Sequence, residues 1–134
     1  MSQRRALIGA VTVGVVALGL TLSGGVAYAG YSNVGFDHIL PYAQLITYTA
    51  EQTKAQTGAN GHIDVYTVGA SYTISARMCY LWGNGCGGTV DGLSGGDWAN
   101  LPAKGNAGEK LNMGLNVSTW NSVSVQTTGV WRTN

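Results

Sequence analysis

The sequence predicts an all-β domain, a small antiparallel sandwich of about six or seven short strands with one disulfide. Three observations predict it. Apolar and polar residues alternate with a period of two in several stretches, and no stretch shows a convincing apolar stripe at helical spacing. Gly is abundant at 21 residues against 2 Pro, and several of the glycines cluster between the alternating runs. The only two cysteines, Cys79 and Cys86, are close enough in sequence to bridge a short loop.

The amino-terminal segment is set apart from that domain. Residues 2–5 are Ser-Gln-Arg-Arg, an uncharged apolar run follows from Ala6 to near Leu22, and Ala27-Tyr28-Ala29 follows that. A positive start, an apolar middle and an Ala-x-Ala end make a secretory signal peptide. Cleavage is expected after Ala29, leaving residues 30–134 as a secreted, extracellular protein. The adjacent Arg4-Arg5 leaves a twin-arginine route open beside ordinary Sec export. Loss of those two arginines takes seven Lys and Arg down to five, against six Asp and Glu, so the mature charge is near −1. No basic stripe suits nucleic acid, and no stable membrane insertion is expected once the signal is removed.

Residues 30–44 are apolar and aromatic with neither clean period. Pro41 pushes its predecessor toward an extended conformation. The stretch fits either an edge strand of its own domain or an extended arm that docks into a partner protein. As an arm, its contact residues would be Tyr31, Val34, Phe36, Ile39, Leu40, Pro41 and Tyr42.

The sandwich domain is expected over residues 45–134. A short strand is predicted near Leu45–Thr49. Glu51–Thr57 is polar all round and fits one helical turn. Ile63, Val65 and Thr67 alternate with Asp64, Tyr66 and Val68. After Gly69-Ala70, the residues Tyr72, Ile74, Ala76, Met78, Tyr80 and Trp82 share one face of a long strand. The Gly-Ala step suits a tight hairpin between the two runs.

Cys79 and Cys86 then close an eight-residue ring. In an oxidising compartment they are expected to form a disulfide, worth about 2–3 kcal/mol by loop-closure entropy. The C-x6-C spacing, with only His38 and His62 in the chain, is a poor zinc pattern, and no metal or cofactor is expected. Gly83–Gly96 is expected to be a long flexible loop with a strand around Thr89–Leu93. A last pair of strands is predicted from Leu111–Val117 and from Val123 and Val125 onward. Trp131 keeps the parity of Val123 and Val125 and is expected in the same core.

Catalytic patterns are thin. Gly92-Leu93-Ser94-Gly95-Gly96 matches G-x-S-x-G, but a nucleophile elbow needs a strand before it and a helix after it. The flanks here are Gly-rich, and the chain is short for a hydrolase of that kind. The six carboxylates form no pair that the spacing singles out. No enzyme activity is expected.

Binding fits the composition better. Four Trp sit among few charges, at 10% of residues. Trp82 and Trp98 flank the Gly-rich loop, and Trp120 sits in the predicted turn Ser118–Asn121. Such rings either stack on a ligand such as a sugar or cap the ends of a small sandwich.

The mature start Gly30-Tyr31-Ser32-Asn33-Val34, the Leu40-Pro41 step, Tyr48–Lys54 and the closing Val123–Arg132 are together similar in plan to the small adaptor subunit of actinobacterial umbrella toxin particles. The likeness spans most of the mature chain. It implies a non-enzymatic β-sandwich that links a lectin subunit to a large toxin-bearing subunit, with Tyr31–Tyr42 as the inserting arm. The alternative is a free-standing carbohydrate or cell-wall binding module, or a small secreted toxin, with Trp82, Trp98 and Trp120 as its ligand-binding residues.

Overall fold

A computed structural model describes residues 32–81 and 85–134. The expected signal peptide, Tyr31 and Trp82 lie outside the described residues. Nine strands follow in order: β1 (Val34–Leu40), β2 (Thr47–Tyr48), β3 (Gln52–Thr53), β4 (Gly61–Val68), β5 (Ile74–Tyr80), β6 (Val90–Leu93), β7 (Trp98–Leu101), β8 (Lys110–Val117) and β9 (Val125–Arg132). They form two antiparallel sheets. The first has the order β1-β9-β4-β7 and the second β2-β8-β5-β6, with β3 also paired to β8.

The period-two alternation builds the core as expected. Phe36, Leu40, Ile63, Val65, Leu101, Val125 and Trp131 point inward from the first sheet. Ile74, Ala76, Met78, Leu93, Leu111, Met113, Leu115 and Val117 meet them from the second, in one cluster. Close packing leaves no room at Gly129 of β9. A Cβ there would stand 2.2 Å from the Asp64 carbonyl oxygen and 2.7 Å from Phe36 Cζ. The missing side chain is what lets the Phe36 ring lie against the β9 backbone.

The alternation settles which side chains point inward, but not which sheet a strand joins. The Gly69-Ala70 step is therefore not a hairpin. β4 and β5 both form, yet they belong to opposite sheets. The link is a single 3-10 turn, Gly69–Ser71, with Ala70 and Ser71 at φ of 55° and 60°. Inward faces on two opposed sheets and on two paired strands carry the same alternation, so the pattern fits both. The β8–β9 connection repeats this. The two strands lie in different sheets, Val125 and Trp131 are buried, and Val123 precedes β9 and is exposed.

The polar stretch Glu51–Thr57 is not helical. Gln52–Thr53 pairs with β8, and its neighbours clamp the carboxyl end of the chain. Gln52 Nε2 donates to the Trp131 carbonyl at 2.9 Å, and the Thr133 N–H donates to Gln52 Oε1 at 3.2 Å. Lys54 is buried, and its ammonium donates to the carbonyls of Ala59 at 2.6 Å and Thr133 at 3.0 Å. Burial pushes its pKa below the usual 10.5. The strand expected around Thr89–Leu93 forms as β6, on the edge of the second sheet. Trp98–Leu101, for which no strand was expected, forms β7 beside β4.

The disulfide Cys79–Cys86 is formed. It lies on the outer side of the second sheet, where Ile46 and Tyr48 also fold over β8. A Cβ on Gly114 would meet Tyr48 Cε1 at 3.3 Å, and Cys79 Sγ and Ile46 Cγ2 at 3.4 Å. The outer side of that sheet is thus partly covered. The outer side of the first sheet is open: His62, Asp64, Tyr66, Trp98, Asn100, Gln126 and Thr128 along it are all exposed or half-buried.

Candidate binding surfaces

The residues expected in a partner-binding arm divide into two groups. Val34–Leu40 is β1, an edge strand paired with β9 along its whole length from Val34↔Trp131 to Leu40↔Val125. Phe36 and Leu40 are buried in the domain's own core, and Val34 is half-buried beside Trp131. A free arm over these positions is corrected by that pairing: burying Phe36 and Leu40 at home removes them from any partner. Ile39 and Tyr42 point outward and stay exposed, and Pro41 is half-buried between them.

The exposed members continue into a rim at one end of the sandwich. The loop after β1 carries Tyr42, Leu45 and Ile46, and the loop before β9 carries Trp120, which is 70% exposed, and Val123. The two loops are stitched together by Asn121 and Gln44. The Ala43 N–H donates to the Asn121 carbonyl at 2.8 Å, and the Gln44 N–H donates to Asn121 Oδ1 at 3.0 Å. Asn121 Nδ2 donates to the Pro41 carbonyl at 3.0 Å. Gln44 Nε2 donates to the carbonyls of Val117 at 3.2 Å and Ser118 at 3.0 Å. Asn121 is fully buried.

This stitching holds strained backbone. Ala43 and Gln44 are consecutive non-glycine residues in the left-handed region, at φ of 59° and 56°. Each such residue costs roughly 1 kcal/mol or more, and persists only where its surroundings fix it. The rim therefore presents apolar side chains on a fixed backbone. Trp120 was legible as a turn tryptophan. Leu45, Ile46 and Val123 were read as strand residues, because nothing in the sequence announced that Asn121 would hold their loops open to solvent.

A second surface is the open side of the first sheet. Trp98 on β7 is 64% exposed, and Tyr66 on β4 is 60% exposed. The His62 ring stacks on Trp98 at 5.7 Å between centroids and 26° between planes. His62 Nε2 lies 3.2 Å from Asp64 Oδ1, and Asp64 is the register partner of Trp98. Asn100 and Arg132 stand opposite His62 on either side, and Arg132 donates to Asn33 Oδ1 at 2.9 Å. Tyr66 and the His62–Asp64 pair sat in the sequence at the outward parity of β4, where an aromatic was the available signal.

A third group is polar. Ser75 Oγ donates to Asp91 Oδ1 at 2.5 Å and lies 2.9 Å from Ser118 Oγ, which accepts from the Gly92 N–H at 3.0 Å. Arg77 donates to Asn116 beside them. These bonds tie the edge strand β6 to β5 and to the end of β8. Neither histidine belongs to the group: His62 is on the other sheet and His38 is on β1. Ser94 of the G-x-S-x-G match sits in a turn closed by Asp97, which accepts from the Ser94 N–H at 2.8 Å. That turn leads from β6 to β7, strand to strand, and has no helix after it. Among the described residues no group of three or more His, Cys, Asp or Glu side chains could hold a metal ion, and no helix is long and apolar enough to cross a membrane.

The fold and these surfaces define an antiparallel, disulfide-linked β-sandwich with an apolar rim and one open sheet face. No protein-family model, no curated protein and no solved structure matches the chain.

Proposed function

We propose that the chain is a secreted, non-enzymatic adaptor that binds protein partners through the rim and the adjoining edge of β1. One observation carries this reading: beside the exposed Ile39 at the end of β1, the large apolar side chains Tyr42, Leu45, Ile46, Trp120 and Val123 are exposed on two loops locked together by a buried Asn121. Rigid exposed aromatics of this kind anchor protein interfaces, because little side-chain entropy is lost when they are covered. The edge adds a second means of attachment. Among the described residues β1 has β9 as its one neighbour in the sheet, so its outer edge is open to strand addition.

The likeness to the adaptor of umbrella toxin particles would make the partners a lectin subunit and a large toxin-bearing subunit. On that reading the attachment is by edge and rim, since Phe36 and Leu40 are held in the core.

The test is an affinity capture of the tagged mature protein from culture supernatant of the native producer. A double variant, Tyr42→Ala with Trp120→Ala, is run beside it, and Trp98→Ala serves as the control. A stoichiometric secreted protein is expected with the wild type and the control, and its retention should fall at least tenfold with the double variant. Recovery of the protein alone, or equal retention by the double variant, overturns the reading.

A further inference from the structure

We propose that the open face of the first sheet binds a neutral oligosaccharide of β-linked hexopyranoses with equatorial substituents, stacked on the Trp98 indole. This site is separate from the protein-binding rim and does not depend on it.

The first argument is the support given to Trp98. An exposed indole on a solvated strand is ordinarily free to change rotamer. Here the His62 ring is stacked against it, and His62 Nε2 lies 3.2 Å from Asp64 Oδ1. Asp64 lies opposite Trp98 in the ladder, so strand, carboxylate, imidazole and indole form one connected unit. Most of the indole surface is nonetheless left to solvent, at 64% exposure. A ring fixed in place and left uncovered is prepared for a flat ligand.

The second argument is the company it keeps. Tyr66 lies two residues beyond Asp64 on β4, diagonal to Trp98, and it sits where the β4–β9 register shifts between Val65 and Thr67. Diagonal neighbours across a strand pair are about 7–8 Å apart. That separation lets one extended ligand reach both rings. Around them the face offers hydrogen-bonding groups: Asn100, Arg132 with Asn33, and the Thr67–Thr128 hydroxyl pair at 2.7 Å.

The third argument selects the ligand. A hexopyranose whose substituents are all equatorial shows only axial C–H bonds on each ring face. Those faces are flat and apolar and match an aromatic platform, while the hydroxyls at the ring edge match amides, hydroxyls and carboxylates. A protein partner would need a desolvated apolar patch. Near Trp98 the aliphatic residue of this face is Val130, half-buried between Gly35 and Asp64, while the exposed Ile39 lies away at the far end of β1, opposite Gln126. Asp37 and Asp64 outnumber Arg132 on the same face, which disfavours an acidic glycan.

The experiment titrates the mature protein with cellohexaose and with chitohexaose, followed by tryptophan fluorescence and calorimetry. Saturable binding of at least one is expected. Affinity should fall at least tenfold in Trp98→Ala and a few-fold in His62→Ala, with Trp120→Ala binding as the wild type. Should Trp98→Ala fail to fold, Tyr66→Ala takes its place with the same expected loss. Absence of saturable binding by either sugar overturns the proposal, as does wild-type affinity in the Trp98 or Tyr66 variant. Failure of the rim reading would show instead in the Tyr42 and Trp120 double variant, which leaves this face untouched.

Discussion

Two adjacent residues of β1 separate a core strand from a docking arm. Leu40 is 0% exposed and Ile39 is 66% exposed. Leu40→Ala removes three carbons from a sealed site. Transfer of those groups alone is worth about 2.4 kcal/mol at ~0.8 kcal/mol per methylene. The residual cavity adds to this, although the strand end can partly collapse around it. A loss of about 3 kcal/mol follows, within the range measured for buried leucines. For a domain near 100 residues each kcal/mol moves Tm by about 4–8 °C, so Tm should drop by roughly 12–24 °C. Ile39→Ala should stay within about 0.5 kcal/mol of wild type, because little of that side chain is removed from water. Guanidinium unfolding followed by tryptophan fluorescence measures both. A Leu40→Ala loss below about 1 kcal/mol, or equal losses for the two, would refute the assignment of β1 to the core and restore the arm.

Two further outcomes follow from the packing. Gly129→Ala should lower stability by about 3 kcal/mol or more in the same unfolding assay, because its Cβ would overlap the Asp64 carbonyl at 2.2 Å and both neighbours are held in place; a change within 0.5 kcal/mol would show that β9 and Phe36 shift apart easily. Lys54 sets a pH dependence. Its lowered folded pKa means that the unfolded chain holds the proton more tightly. Wild-type stability relative to Lys54→Met should therefore be flat below the lowered value, rise as pH climbs from it toward 10.5, and level off above that. A difference between the two proteins that stays constant or falls with pH across that window would contradict the burial of the ammonium.

Much of the fold was legible. The inward residues of β4, β5, β8 and β9 follow from alternation alone, because a half-buried strand has only one way to hide its apolar side chains. The disulfide followed from two cysteines read together with an expected export signal. What alternation does not contain is the sheet to which a strand belongs, so Gly69-Ala70 looked like a hairpin where it is a corner. Gln52 and Lys54 were not legible as buried residues. Their burial depends on the carbonyls of Trp131 and Thr133, far along the chain, accepting their hydrogen bonds. The binding surfaces were legible as ring types and not as places. Trp98 and Trp120 look alike in sequence, yet one is supported by a histidine on a sheet and the other stands on a loop fixed by Asn121.

The position of β9 has a consequence for how the protein reaches its working form. It lies between β1 and β4 in the first sheet, and it is the last of the described strands in sequence. A polypeptide made amino end first presents β1 and β4 well before the strand that joins them exists. Until Val125–Arg132 is made, the first sheet has no centre, and the strand that carries Phe36 and Leu40 has no ladder partner. Closure of the first sheet therefore waits for Val125–Arg132, whatever order the earlier strands form in.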